Sequence, residues 1–172
     1  MALFLTYDEY MMENKIKTIC PSAELAIKCG IKGWRLVFRK FYSKAAVTLE
    51  KGSENDVVPV VVWDISHEDL DDMETVYPEE IYTKKYINLT SSELTISALT
   101  YVMSETPIAM PDDMYLDDIM ESYCENNFDL TATENALDFV ADYLRKGRIE
   151  NGSLYKGTDR ERNEAIIEKL KG

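Results

Sequence analysis

One histidine, three cysteines and seven glycines are all that 172 residues offer of these types, and each scarcity closes off a class of chemistry. A Ser-His or Cys-His nucleophile pair would have to be built on His67, which follows Ser66 at the start of a short helix and reads as an exposed residue. Cys20, Cys29 and Cys124 are odd in number and lack C-x-x-C spacing. They read as free thiols of a reducing compartment, and with one histidine they make a poor zinc site. The glycines never fall into G-x-x-x-x-G-K or G-x-G-x-x-G, so no phosphate-cradling loop is present. No apolar run approaches the roughly 20 residues of a membrane span. The segment Met1–Tyr7 is too short for a signal peptide and has no basic leader. The expected setting is the cytoplasm, with no membrane contact, no metal and no cofactor.

What is present is acid. The net charge is −13, and it is segregated along the chain. Lys15 to Lys51 holds nine Lys or Arg against two acids, Glu24 and Glu50, whereas Tyr86 to Leu144 holds twelve Asp or Glu and no Lys or Arg. The simplest reading is a solvated surface. A sharper one is an acidic face for a basic protein partner, since a field of one sign steers complementary surfaces. Nucleic acid is not an expected partner, because phosphates would be repelled. Asp112-Asp113 and Asp117-Asp118 read as the wet face of a helix rather than a cation site.

A hydrophobic fraction of 45% in a chain this long is enough for one buried core. Ala2–Tyr7 reads as a buried strand, Met11–Ile19 as a helix, and residues 25–29, 34–38 and 45–49 as strands with turns at Gly30, Gly33 and Gly52. Val57–Trp63 is the most β-prone stretch; Pro59 cannot donate to a ladder, which predicts an edge or strand-start position. Ser66 and Asp69 are spaced as a capping box for a short helix. Tyr82–Asn88 and Thr95–Met103 read as strands paired around a turn at Thr90-Ser91-Ser92. After Pro107 and Pro111 the pattern turns helical: Met114, Leu116, Ile119, Met120 and Tyr123 share a side, and Thr131-Ala-Thr-Glu134 is a capping-box sequence before Leu137, Val140, Ala141 and Leu144. Strands first and helices later predict an α+β fold. Residues 147–172 read as an extension: a turn from Gly147, then a charged helix over Thr158–Leu170.

The surviving chemistry gathers where the first strand meets the first helix, at Tyr7-Asp8-Glu9-Tyr10, together with the acids from Glu68 to Glu80. Leu3-Phe4-Leu5-Thr6-Tyr7, Cys20-Pro21-Ser22-Ala23, Lys32-Gly33-Trp34-Arg35-Leu36-Val37-Phe38, Val58-Pro59-Val60-Val61-Val62-Trp63-Asp64-Ile65 and Glu68-Asp69-Leu70 resemble, in order, elements of the γ-glutamylcyclotransferase-like (AIG2-like) family. Ala98–Met103 and the pattern Pro111, Tyr115, Ile119, Tyr123, Phe128-Asp129 continue the match over about 140 residues. The resemblance implies a small mixed β-barrel or sheet with flanking helices over residues 1–146. It also implies an activity: closure of a γ-glutamyl amide on its own α-amine, releasing 5-oxoproline. That reaction uses a carboxylate to move the proton and loop N–H groups to hold negative oxygens, with glycine allowing the close approach.

Both functional positions are rewritten. Against the family's Tyr-Gly-Ser-Asn stands Tyr7-Asp8-Glu9-Tyr10, which adds two negative charges. The family's base falls on Tyr77 when counted without a gap from Trp63. A slide of three residues places it on Glu74 instead, so Glu74 and Tyr77 are alternatives for one catalytic position. A tyrosine titrates near 10 and is a poor base at neutral pH. Tyr7, Asp8, Glu9, Tyr10, Tyr82, Tyr115 and Tyr123 are the expected substrate-binding residues. Three readings follow: a catalytically degenerate protein that binds a small ligand or a protein partner, an active cyclotransferase or amide-cleaving enzyme releasing 5-oxoproline from γ-glutamyl-amines or peptides, and an acidic protein that blocks a basic surface.

Overall fold

Six long strands and one short one carry the fold, in a computed structural model that describes residues 1–150. β1 (Ala2–Thr6), β2 (Glu24–Lys32), β5 (Val57–Ile65), β6 (Tyr82–Thr90) and β7 (Thr95–Met103) form one sheet in the order β2-β5-β1-β7-β6. Its pairings are antiparallel except β1 with β7, which is parallel with Phe4 opposite Leu99. β3 (Trp34–Phe41) and β4 (Lys44–Lys51) form a separate hairpin. It leans on the main sheet where Met103 N donates to Thr48 Oγ1 at 2.8 Å. The expected mixed α+β architecture is therefore present.

The apolar run of β5 is explained by burial on both faces: Val58, Val60, Val61, Val62, Trp63 and Ile65 are all buried. Pro59 corrects the edge expectation in part. β5 is an interior strand, but β1 pairs only with Val61–Ile65, so Pro59 lies in the overhang near the strand start, where the missing N–H costs no bond to β1. Gly33 turns β2 into β3 with φ of 79°, a conformation that favours glycine.

Four helices flank the strands: α1 (Glu13–Ile19), α2 (His67–Asp72), α3 (Asp113–Glu125) and α4 (Thr131–Glu150). α1 is shorter than expected because Glu9–Met11 forms a 3-10 turn ahead of it. Ser66 caps α2 as expected, accepting from Asp69 N at 3.1 Å, but the box is not closed. Asp69 accepts instead from Ser22 N at 2.7 Å and from Ser22 Oγ, while Ser66 N donates to Ser22 Oγ at 3.0 Å. The Cys-Pro-Ser-Ala and Glu-Asp-Leu elements thus meet in space and tie α2 to the turn after α1. At α4 the cap is Asp129, which accepts from Thr131 N at 3.0 Å. The expected turn at Gly147 is absent, since α4 runs through it to Glu150; one glycine among helix formers costs only about 1 kcal/mol. The helix expected over Thr158–Leu170 lies outside the described residues. Among the described residues, no helix is long and apolar enough to cross a membrane.

Candidate functional site

The chain leaves the sheet at Thr6, in the middle of the core, and must turn before α1. Thr6 is pinned there: its Oγ1 donates to Val61 O at 3.0 Å and accepts from Trp63 Nε1 at 3.1 Å. The same indole N–H reaches Tyr10 O at 3.1 Å, so Trp63 holds both ends of the Tyr7–Tyr10 loop. Met11 N and Met12 N donate to Asp8 O and Glu9 O at 3.1 Å each, which closes the 3-10 turn.

Asp8 caps that turn. Its Oδ1 accepts from Tyr10 N at 3.0 Å and its Oδ2 accepts from the Tyr77 hydroxyl. Asp8 and Tyr77 are only 4% and 5% exposed, so this is a buried carboxylate held by one amide and one phenol. Burial pushes the Asp8 carboxyl up to about 6, against the pull of the Tyr77 and Tyr10 donors. Glu9 follows with less support. Its Oε2 is buried and has no hydrogen-bond partner among the described residues. Burial first, and the Asp8 charge second, push its carboxyl up to about 8.

Tyrosines surround the two acids. Tyr77 stacks on Tyr101 with centroids 4.9 Å apart and planes 10° from parallel. Tyr10 and Tyr82 meet the Tyr77 ring edge-on at 6.1 and 5.0 Å. Tyr7 donates to Tyr101 O at 2.5 Å, and Tyr115 accepts from Val47 N at 3.0 Å. Burial raises all these phenols, and for Tyr10, Tyr82 and Tyr115 the charges of Asp8 and Glu9 raise them further.

Of the expected site residues, Tyr7, Asp8, Glu9, Tyr10, Tyr77, Tyr82 and Tyr115 come together. Glu74 and Tyr123 do not. The Glu74 side chain is 54% exposed and pairs with Lys84 at 2.5 Å. Tyr123 is buried between α3 and the start of α4, edge-on to Phe128 at 6.1 Å. Its side chain serves the helix junction, because α3 turns Ile119, Ser122 and Tyr123 inward together. Tyr101 and Lys15 were not singled out from sequence, and Asp118 was read only as the wet face of a helix. Tyr101 shares one face of β7 with buried Leu99 and Met103, a position that reads only as core. Lys15 and Asp118 pair at 2.9 Å near Glu9, and their approach depends on how α1 and α3 pack.

A scan of protein-family models finds no match to this chain, and a search of curated proteins finds none either. Solved structures do match. The chain is similar to a structure described as a gamma-glutamyl cyclotransferase, with a TM-score of 0.68 and 20% identity over 78% of this chain and 85% of that one. An uncharacterized protein from Homo sapiens gives the same values. YkqA from Bacillus subtilis gives a TM-score of 0.61 and 15% identity over 81% of this chain and 54% of that one. The fold is therefore that of the gamma-glutamyl cyclotransferase structures.

Proposed function

We propose that this protein is a catalytically degenerate relative of the γ-glutamylcyclotransferases that binds a small ligand at the Tyr7–Tyr10 loop and does not turn over γ-glutamyl substrates. One observation carries the reading: the Asp8 carboxylate accepts from Tyr10 N and from the Tyr77 hydroxyl. Where the resemblance implies loop donors free to hold a substrate's negative oxygens, the Tyr10 N–H is already engaged by the chain's own carboxylate. A second anion brought to within 4 Å would meet a repulsion of about 1 kcal/mol in water and several times that in a drier site.

The base position supports the same reading. Tyr77, the residue reached without a gap from Trp63, is the one beside the loop, and burial and the neighbouring acids hold its phenol well above its usual 10. Such a group does not accept a proton at neutral pH. Glu74 has the right chemistry but sits outside, bound to Lys84. The fold by itself does not decide activity. The test is incubation with γ-glutamyl peptides and γ-glutamyl-amines, with 5-oxoproline followed by mass spectrometry. None is expected above the uncatalysed background; sustained release from any member of the panel overturns the proposal.

The third reading, a surface that blocks a basic partner, draws less support. Lys15 pairs with Asp118, and Lys44 lies 3.6 Å from Asp112, so the basic and acidic stretches of the sequence partly neutralise each other in space.

A further inference from the structure

Glu9 leaves a chemical demand that no other described residue meets. Its Oε2 is buried and unpartnered, beside an Asp8 whose two oxygens are satisfied. An unmatched buried acceptor costs about 1–3 kcal/mol. We infer that Asp8 and Glu9 anchor a site for a cationic amine, whose ammonium bonds the free Glu9 oxygen while its carbon chain lies against the tyrosine rings. This names the ligand class for the proposed site and rests on the reading of the loop as a ligand site.

The surroundings fit a cation and one of that kind. An ammonium carries three donors, enough for Glu9 Oε2 and a shared contact with Asp8. The rings of Tyr10, Tyr82 and Tyr115 offer negative π faces and apolar walls, the combination that holds organic ammonium groups. The nearest cation of the protein does not fill the place, because Lys15 Nζ is engaged by Asp118 at 2.9 Å. Among the described residues no group of three or more His, Cys, Asp or Glu is arranged for a metal ion, which favours an organic cation. Glu9, Tyr10 and Tyr115 are only partly buried, so the loop borders the surface although Glu9 Oε2 itself is covered.

Binding should then be linked to protons. Glu9 faces Asp8 within the loop, Lys15 from α1 and Asp118 from α3; Asp8 and Asp118 raise its carboxyl and Lys15 lowers it. Tyr10, Tyr77, Tyr82 and Tyr115, which also face it, stay neutral because their phenols are raised. With Glu9 at about 8, an ammonium arriving at pH 7 displaces its proton. The amine itself, with an ordinary value near 10.4, stays charged throughout.

The experiment is calorimetric titration of the full chain with n-butylamine, 1,5-diaminopentane and agmatine, against 1-butanol, 1,5-pentanediol and glutarate. Amines alone are expected to bind, about 25-fold more tightly at pH 8.5 than at pH 6.5. Titration in two buffers of different ionisation enthalpy should show close to one proton released at pH 7. Glu9→Gln keeps the shape of the side chain and should remove both the proton release and the pH dependence, with an unchanged circular dichroism spectrum. Binding of glutarate or the uncharged isosteres, but not the amines, overturns the inference while the ligand site stands. Amine binding without proton release, or unaltered in Glu9→Gln, overturns the assignment to Glu9. Failure of every compound to bind counts against both the amine and the site.

Discussion

Two groups of withdrawn charges, one on the hairpin and one in the Tyr7–Tyr10 loop, are treated differently by the protein. Near the turn end of β3, Arg39 donates from Nε to Glu50 Oε1 at 2.6 Å and from a second nitrogen to the same oxygen. A third donor goes to Thr106 O. Arg35 adds a further contact to Glu50 at 3.6 Å. The Arg39 side chain is 15% exposed and that of Glu50 25%, so each charge loses water but gains a partner. At the Tyr7–Tyr10 loop two adjacent acids are withdrawn from water, and among the described residues no arginine or lysine bonds either carboxylate. One group is built as the interior of a stable protein requires. The other costs stability and is kept, as at sites where a protein must interact with something else.

The strongest way to expose the difference is by pH. In the fold Glu9 is held at about 8, against an ordinary 4.5, and Asp8 at about 6 against 3.8. Between those values the folded chain keeps protons that the unfolded chain has released. Stability from these groups is therefore full below about pH 4, falls as pH rises through the window, and levels off above about 8. Between pH 5 and 8.5 the protein should lose about 5 kcal/mol, and Glu9→Gln should lose less than half of that. Urea midpoints across the range read this directly; superimposable profiles for the two proteins would dismiss Glu9 as the unpaired acid.

The paired group should respond in the opposite way to loss of its cation. Arg39→Met leaves Glu50 with only the distant Arg35 and leaves Thr106 O without its donor. A loss of about 2 kcal/mol is expected, or roughly 6 °C in Tm. Thermal denaturation at pH 7 measures it. A change of less than 1 °C would mean that the guanidinium contributes little beyond its surface contacts, and the contrast with the loop would weaken.

How much of this was legible in the sequence follows from the range of each signal. β5 could be read because burial on both faces writes a continuous apolar run, and β6 and β7 because a short polar turn separates two matched stretches. The position of Pro59 could be read only halfway: the residue type reports a missing donor, not which neighbour falls short. Asp8 and Glu9 were visible as charges out of place, yet their burial was not, because it depends on Tyr77 and Tyr115 arriving from residues about 70 and 105 positions away. The pairing of Lys15 with Asp118 was hidden for the same reason. Tyr123 stood beside Tyr115 in the family pattern, but eight residues of helix place it at the far end, beside Phe128.

The smallest expected effect is the one that separates Glu74 from Tyr77. Glu74 sits in a side-chain pair with Lys84 in which both partners are about half exposed, 54% and 52%, and such pairs hold a protein together by about 0.5 kcal/mol or less. Glu74→Gln should therefore leave the urea midpoint nearly unchanged. It should also leave the pH profile of stability intact, because the residues that set that profile, Asp8 and Glu9, do not touch it. Tyr77→Phe is the matched probe. It keeps the ring stacked on Tyr101 but removes the donor to Asp8 Oδ2, so Asp8 should become harder to ionise and the fall in stability should steepen above about pH 6. If Glu74→Gln moves the profile and Tyr77→Phe does not, the loop's partner is the glutamate, and the placement of both residues in this fold is wrong.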